Sequence, residues 1–447
     1  MGMMDLNFVL GTYLFALIGT VAGSLISSLP GLHVYNVIGF ALLFYIPMAE
    51  HFPVHPFMMT AFLVGMLVGY GFVFTVPTVY LQAPDDTLVF NLMPGQRYLT
   101  EGRGHEAVVL TSLGALLGIL ALVVLAPLVM PYLKLLSDLL NPHLHWIIGM
   151  VILYILLSEF PKDFGRRKKI SGRLIEGWST IAAGYLTFAL SSVLGIILFT
   201  KTLIEPSRAF QNLMPALVGL FAAPNVILNL ISRREVPRQV IQRDFDADHE
   251  DLFNGTLSGV LGGGFSAFIP AVTAGIGGLL AGHATAQWGD RSFMISMGAS
   301  RVVYYVGAVT LFFMPLIHVR RGLLAQNIAL FYAPETHAQF YLFLSAIAFS
   351  AIVAFFMTIL ISRFLARRVS ARSYRIVSAF TFAAILGIVF GMAGFVGLAV
   401  FAVAAMIGII PVIYFSRRSN ALAVILVPIW LNMSGLMDKV VQLLGLR

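Results

Sequence analysis

Long apolar runs separated by short polar turns recur along the whole chain. They fall at about residues 8–29, 31–47, 57–76, 107–133, 143–160, 174–200 and 207–231. A second series follows at about 253–268, 270–282, 293–315, 339–362, 376–392, 394–415 and 420–441. Most runs approach the roughly 20 residues that carry a helix across a bilayer, which predicts an all-α integral membrane protein with about ten transmembrane helices. Between the two series, Arg233, Arg234, Arg238 and Arg243 are followed by Asp244, Asp246, Asp248, Glu250 and Asp251. This stretch reads as a solvated, cytoplasmic charged linker, residues 233–252, between a first membrane repeat, 1–232, and a second, 253–447.

Both series open with a glycine-containing apolar pair broken at a proline. The first break is Ser27-Ser28-Leu29-Pro30-Gly31-Leu32-His33; the second runs from Gly262-Gly263-Gly264-Phe265 to Ile269-Pro270-Ala271. Proline lacks a backbone donor and suits the first turn of a helix, so Pro30 is expected to start a returning half-helix. Basic loops then orient the chain. Lys162 to Arg173 and Arg363 to Arg375 belong on the cytoplasmic side with the linker, opposite His51 to His55 and Ala333 to His337. From the linker to Arg363 two full spans already return the chain, so 253–282 contributes either a re-entrant hairpin or two crossings. Its short arms favour the hairpin. Counting back from Lys162, the first broken segment starts and ends outside. The expected fold therefore adds two re-entrant, broken-helix hairpins arranged in two inverted-topology repeats. Irregular backbone at membrane depth is tolerated only inside protein or beside a watery cavity, and paired broken helices in inverted repeats surround the sites of secondary transporters.

Composition agrees with the pattern. Of 447 residues only 11% are charged, against about 25% in soluble domains, and mean hydropathy is +0.91. The net charge of +8 sits largely in short loops, as orientation in a membrane requires, and no zinc-finger or aromatic-basic pattern points to nucleic acid. The chain has no cysteine, which excludes disulfides and thiolate chemistry. Residues 1–8 lack the basic region of a cleaved signal peptide, so the first apolar run is expected to remain.

Candidate site residues cluster at the breaks and at one buried charge. Free N–H groups of a half-helix beside Pro30 and Gly31 can hold an anion, with Ser28, His33 and Asn36 adding polar groups. The alternative is a proline kink whose freed carbonyls are satisfied by serine. Ser266, Pro270 and Thr273 supply the matching set at the second break. Arg301 follows Ser300 about 12 Å into its span, where a guanidinium seeks a polar interior unless it snorkels to the surface. Asp85 and Asp86, after Pro84, are either ligands of a coupling cation or helix caps, capping being the commoner role. Asp138, Glu159, Glu176, Glu205 and Asp290 fall near span ends, where interfacial solvation accounts for them. No P-loop, HExxH helix or G-x-S-x-G elbow is present.

Three features resemble the large membrane subunit of tripartite tricarboxylate transporters, the TctA-like permeases. These are Leu29-Pro30-Gly31-Leu32, the region from Pro84-Asp85-Asp86-Thr87 to Leu92-Met93-Pro94-Gly95-Gln96-Arg97, and Phe293-Met294-Ile295-Ser296-Met297-Gly298-Ala299-Ser300. The layout is closest to the divergent, archaeal-type branch with a Pro-Gly-Leu-His tip. The chain departs from the family pattern at Ala271 and Asp85-Asp86, where Pro-Gly is expected, and at Arg301, where asparagine is frequent. The resemblance implies a small partner membrane subunit and an extracytoplasmic binding protein. Together these readings predict a multi-pass permease of a prokaryotic plasma membrane and not an enzyme. It would carry a small, carboxylate-like organic anion by alternating access, coupled to Na+ or H+, without a resident cofactor or metal. The alternatives are a flippase for a lipid-linked phosphate and an intramembrane enzyme. A non-transporting scaffold would give no reason to bury Arg301.

Overall fold

The structure is a computed structural model. It describes residues 5–32, 38–39, 41–42, 54–160, 170–204, 212–231, 236–241, 248–285, 287, 289–314, 319, 321–329, 332, 336–369 and 374–446. Among the described residues the chain is helical, with no strand. Its α-helices are α1 (Leu6–Ser27), α2 (Pro56–Val73), α3 (Thr75–Tyr80), α4 (Leu92–Thr100), α5 (Gly104–Val129), α6 (Leu133–Leu140), α7 (Leu144–Leu157), α8 (Ile170–Thr200) and α9 (Met214–Phe221). They continue as α10 (Ala223–Ile231), α11 (His249–Phe268), α12 (Ala274–Ala284), α13 (Asp290–Phe313), α14 (Gly322–Ile328), α15 (His337–Arg368), α16 (Tyr374–Ile413), α17 (Ala423–Met433) and α18 (Met437–Leu443). Among the described residues, seven helical segments are long and apolar enough to cross a membrane, and two bent pairs, α9–α10 and Arg418–Met433 with α18, could add one crossing each. Two of the seven, Gly104–Leu157 and Arg375–Ile413, are 54 and 39 residues long, well beyond the roughly 20 that one crossing needs.

The chain packs as two compact units. One comprises Met1–Asp138, Arg234–Phe268 and Thr273–Val377; the other comprises Leu139–Arg233, Ile269–Val272 and Ser378–Arg447. Each draws on chain from both sides of the charged linker. Within the first unit, α2–α3 and α13 are the innermost spans, 89% and 94% buried over their apolar windows.

Glycines set the packing of this unit. Gly19 and Gly23 of α1 lie on the backbone of Phe62 and Met66 in α2, and a methyl group at Gly19 would stand 2.0 Å from the Phe62 carbonyl oxygen. Gly255, Gly259 and Gly263 of α11 meet Ser292, Ser296 and Ser300 of α13 in the same way. Association in lipid relies on such close backbone approach, because no water is released. Residue numbers rise together along both seams, so α1 runs parallel to α2 and α11 to α13. Parallel neighbours need a return between them, and α12 supplies it for the second pair. Gly262 meets Gly277, and the Ser266 hydroxyl donates to the Thr273 carbonyl at 3.0 Å, so α11 and α12 form an antiparallel hairpin.

Two expectations change. Pro270 lies in the turn of that hairpin, and the returning helix starts only at Ala274 with Thr273 as its N-cap. Pro30 occupies the same place in a turn of identical pattern at the first break. The post-proline residue has positive φ in both, +84° at Gly31 and +65° at Ala271, as a proline-led reverse turn demands. The linker is also not wholly solvated. Although Arg238 and Val240 are exposed, Val240 N–H donates to Gly102 O at 2.8 Å, and Gln239 both accepts from Gly104 N–H and donates to Leu99 O.

In the second unit the helices are closed by Gly195 against Val424, Gly219 against Ala404 and Gly408 against Leu220. Glu159 corrects its expected role at an interface. It is buried, and its carboxylate accepts Arg417 N–H at 3.1 Å and the Asn420 amide at 2.6 Å, capping the short 3-10 helix Arg418–Leu422.

Candidate functional site

Between α3 and α4 the chain leaves helical geometry, yet every residue from Leu81 to Val89 is buried. Gln82 adopts φ +55°, an uncommon conformation for a side chain of its kind, and Pro84 offers no backbone donor. Asp85 organises this segment. Its Oδ1 accepts the backbone N–H groups of Thr87 and Leu88 at 3.1 and 3.0 Å and the Thr87 hydroxyl at 2.7 Å. The carboxylate thus closes a turn rather than an α-helix.

The other oxygen meets a charge. Arg301 Nη2 donates to Asp85 Oδ2 at 2.9 Å, and the Tyr70 hydroxyl donates to the same atom at 2.9 Å. Arg301 is 0% exposed and lies about 16 Å along α13, near its middle, so it does not snorkel. Three rings surround its guanidinium, with centroids 4.9 Å away for Tyr70, 5.0 Å for Phe74 and 5.7 Å for Tyr305. Its Nε and Nη1 have no hydrogen-bond partner among the described residues.

The start of α12 abuts the irregular segment. A methyl group at Gly275 would come within 2.9 Å of Thr87 O, and the Thr273 hydroxyl reaches Asp86 O at 3.4 Å instead of capping its own helix. Ser300 fastens the same end through Ala274 O at 2.8 Å. The positive end of α12 thus lies against the segment that carries Asp85 and Asp86. Ser266, Thr273, Ser300, Arg301, Asp85 and Asp86 are thereby linked by direct contacts within one unit.

Among the described residues, the first break makes no hydrogen bond to this group. Ser27 and Ser28 donate back to Ser24 O and Leu25 O, as in a kink that satisfies its own carbonyls, and Ser28 borders an open apolar cavity of about 390 Å³ with Leu25, Leu360 and Phe364. Gly31 holds the first proline turn. His33 and Asn36 lie outside the described residues.

Several neighbours escaped sequence reasoning. Tyr70 and Tyr305 are phenols deep in apolar spans, whereas membrane tyrosines usually sit at the interface, and that displacement was the available signal. Asn91 is fully buried with neither amide atom bonded among the described residues. A second polar cluster joins Tyr80, Ser362 and His105, with His105 Nδ1 2.8 Å from Ser362 Oγ. Among the described residues, no group of three or more histidine or carboxylate side chains gathers to hold a metal.

The fold and this centre define a class, a multi-pass helical membrane protein whose non-helical interior carries an arginine–carboxylate pair. The chain belongs to the tripartite tricarboxylate transporter TctA family, whose pattern it matches over residues 13–423. It is also similar to the uncharacterized protein MJ1079 of Methanocaldococcus jannaschii, 22% identical over 289 residues, which are 64% of this chain and 65% of that protein's length. No solved structure matches it.

Proposed function

We propose that the chain is the permease of a secondary transporter for a small, carboxylate-like organic anion in the cell membrane. Arg301 carries this reading. It is a fully buried guanidinium at mid-span, beside non-helical backbone and a half-helix N-terminus, and a cation so placed is costly unless it serves an anion. Alternating access between two inverted repeats is part of the proposal. It is supported by the glycine-closed parallel pairs α1–α2 and α11–α13 and by the two proline turns of equal backbone sign. A small membrane subunit and an extracytoplasmic binding protein are its proposed partners, as the family implies.

The test is uptake of labelled succinate and citrate into proteoliposomes under imposed proton or sodium gradients. We expect at least one to accumulate, and Arg301→Lys to lower uptake roughly tenfold or more, because a point charge does not replace a planar fork. Failure of both probes to accumulate, or full activity of Arg301→Lys, would count against the carboxylate reading. The open cavity beside Ser28 and Phe364 gives the flippase reading its one support, and translocation of a lipid-linked phosphate in the same vesicles would favour it. The Ser362–His105 contact is read as helix packing and not as a nucleophile, since Ser362 is fully buried and its hydroxyl also meets Tyr80.

A further inference from the structure

We infer that Asp85 takes up the coupling proton, and that Asp85 and the substrate carboxylate alternate as the partner of Arg301. The inference rests on Arg301 being the substrate's anchor. Arginine usually grips a carboxylate through two parallel N–H donors, but here a single donor, Nη2, reaches Asp85. Nη1 and Nε remain without a hydrogen-bond partner among the described residues, although the side chain is wholly buried. The rings of Tyr70, Phe74 and Tyr305 hold the guanidinium whichever anion it meets. The site therefore presents a fixed cation, half used.

Charge balance then requires a proton. Empty, the Arg301–Asp85 pair is neutral. A carboxylate drawn to Arg301 would leave one uncompensated negative charge in a buried centre, which low-dielectric burial strongly disfavours. One proton on Asp85 Oδ2 removes it. In that step the Arg301–Asp85 contact breaks, an O–H bond forms on Asp85, and Arg301 pairs with the substrate; release runs the step backwards. No electron moves, and the total charge of the pair with a monocarboxylate is zero in both states.

A proton suits this carboxylate better than a metal ion. The hydrogen bonds Asp85 accepts include those from Thr87 N–H and hydroxyl, Leu88 N–H, the Tyr70 hydroxyl and Arg301. A sodium ion there would need oxygen acceptors around it, where donors point instead. The carboxyl O–H needs one acceptor, and the Tyr70 hydroxyl, already 2.9 Å from Oδ2, can accept as well as donate. The titratable and charged groups facing Asp85 include Tyr70 from α2, Arg301 and Tyr305 from α13, and Asp86 beside it. Arg301 is the cation that Asp85 Oδ2 touches, so a substrate that engages it weakens the force that keeps Asp85 ionised.

Calorimetric titration of the purified full chain with succinate and with citrate tests this between about pH 7 and 8.5, above the range where carboxylic acids ionise. Affinity should rise by about tenfold for each unit the pH falls, the slope of one linked proton. Asp85→Asn, which stands in for the protonated form, should bind at pH 8.5 more tightly than the native protein does, with a slope near zero, and proton-driven uptake should be lost. A pH slope unchanged in Asp85→Asn, or no slope in the native protein, overturns the proton assignment. The double variant Asp85→Asn/Arg301→Gln addresses the anchor instead; native-like binding by it overturns the reading of Arg301 and leaves the pH slope as a separate result. If neither probe binds the native protein, acetate decides. Excess acetate, but not chloride, should raise the melting temperature of Asp85→Asn, and no rise overturns the exchange. If Asp85→Asn does not fold, Asp85→Ala purified in acetate replaces it, with recovery in acetate alone as the supporting result and no recovery as the refuting one.

Discussion

Asp85 in one unit and Glu159 in the other are both carboxylates buried in a chain of membrane spans, and they are held in different ways. Among the contacts of Glu159 are the Arg417 backbone N–H and the Asn420 side-chain amide, neutral donors 258 and 261 positions away in the chain. Asp85 shares that kind of support on Oδ1, but Oδ2 faces the guanidinium of a residue 216 positions away. Fixed dipoles define a cap. A remote full charge defines an equilibrium, because the same cation can serve another anion. The difference separates a residue that shapes the fold from one suited to a cycle.

The largest effect that sharpens this comparison comes from splitting the pair. Arg301→Gln leaves Asp85 buried without its counter-charge and should destabilise the protein by about 3–5 kcal/mol. Asp85→Asn/Arg301→Gln, with both charges gone, should regain most of that. Denaturant unfolding in detergent measures both, and a double variant as unstable as the single one would show that the two residues are not coupled. Glu159→Gln should cost less, about 1–3 kcal/mol, since it places an amide donor where acceptors are required. It should leave succinate and citrate affinity and its pH slope unchanged; a changed slope would erase the distinction between the two carboxylates.

The smallest effects lie at the proline turns. Ala271 holds the left-handed backbone that Gly31 adopts freely. Ala271→Gly is expected to stabilise by up to about 1 kcal/mol, and Gly31→Ala to destabilise by a similar amount. Opposite signs in thermal unfolding support equivalent turns, whereas equal signs would mean that the turns carry different loads.

Both breaks were legible because proline and glycine act on the backbone where they stand. Arg301 was legible because a charge inside an apolar run is itself an anomaly. Its partner was not, as nothing local to Asp85 names a residue so distant in the chain. Even so, the sequence singles out Asp85 and Arg301 separately, and the structure shows them touching each other. Pro270 misled because a proline before a helix fits N1 and a reverse turn equally well, and only the dihedral angles separate them. Glu159 misled for another reason. Its position at a span end suggested water, while the backbone N–H it caps belongs to Arg417, from a distant stretch of chain. The linker misled through composition, because Gln239, a neutral residue among charges, makes its side-chain attachments.

At the end of α4 and the starts of α5 and α13, Arg97 pairs with Asp290, while Arg103 and Arg291 both reach Glu106. Their guanidinium groups are partly open to solvent, unlike that of Arg301. Dissolved ions screen the exposed contacts over a Debye length of about 10 Å at 0.1 M, falling to about 3 Å at 1 M, and leave an enclosed pair almost untouched. Ionic strength is therefore an independent dial on this molecule. Raising it loosens the clasp at these helix ends while the buried charge at the centre keeps its partner.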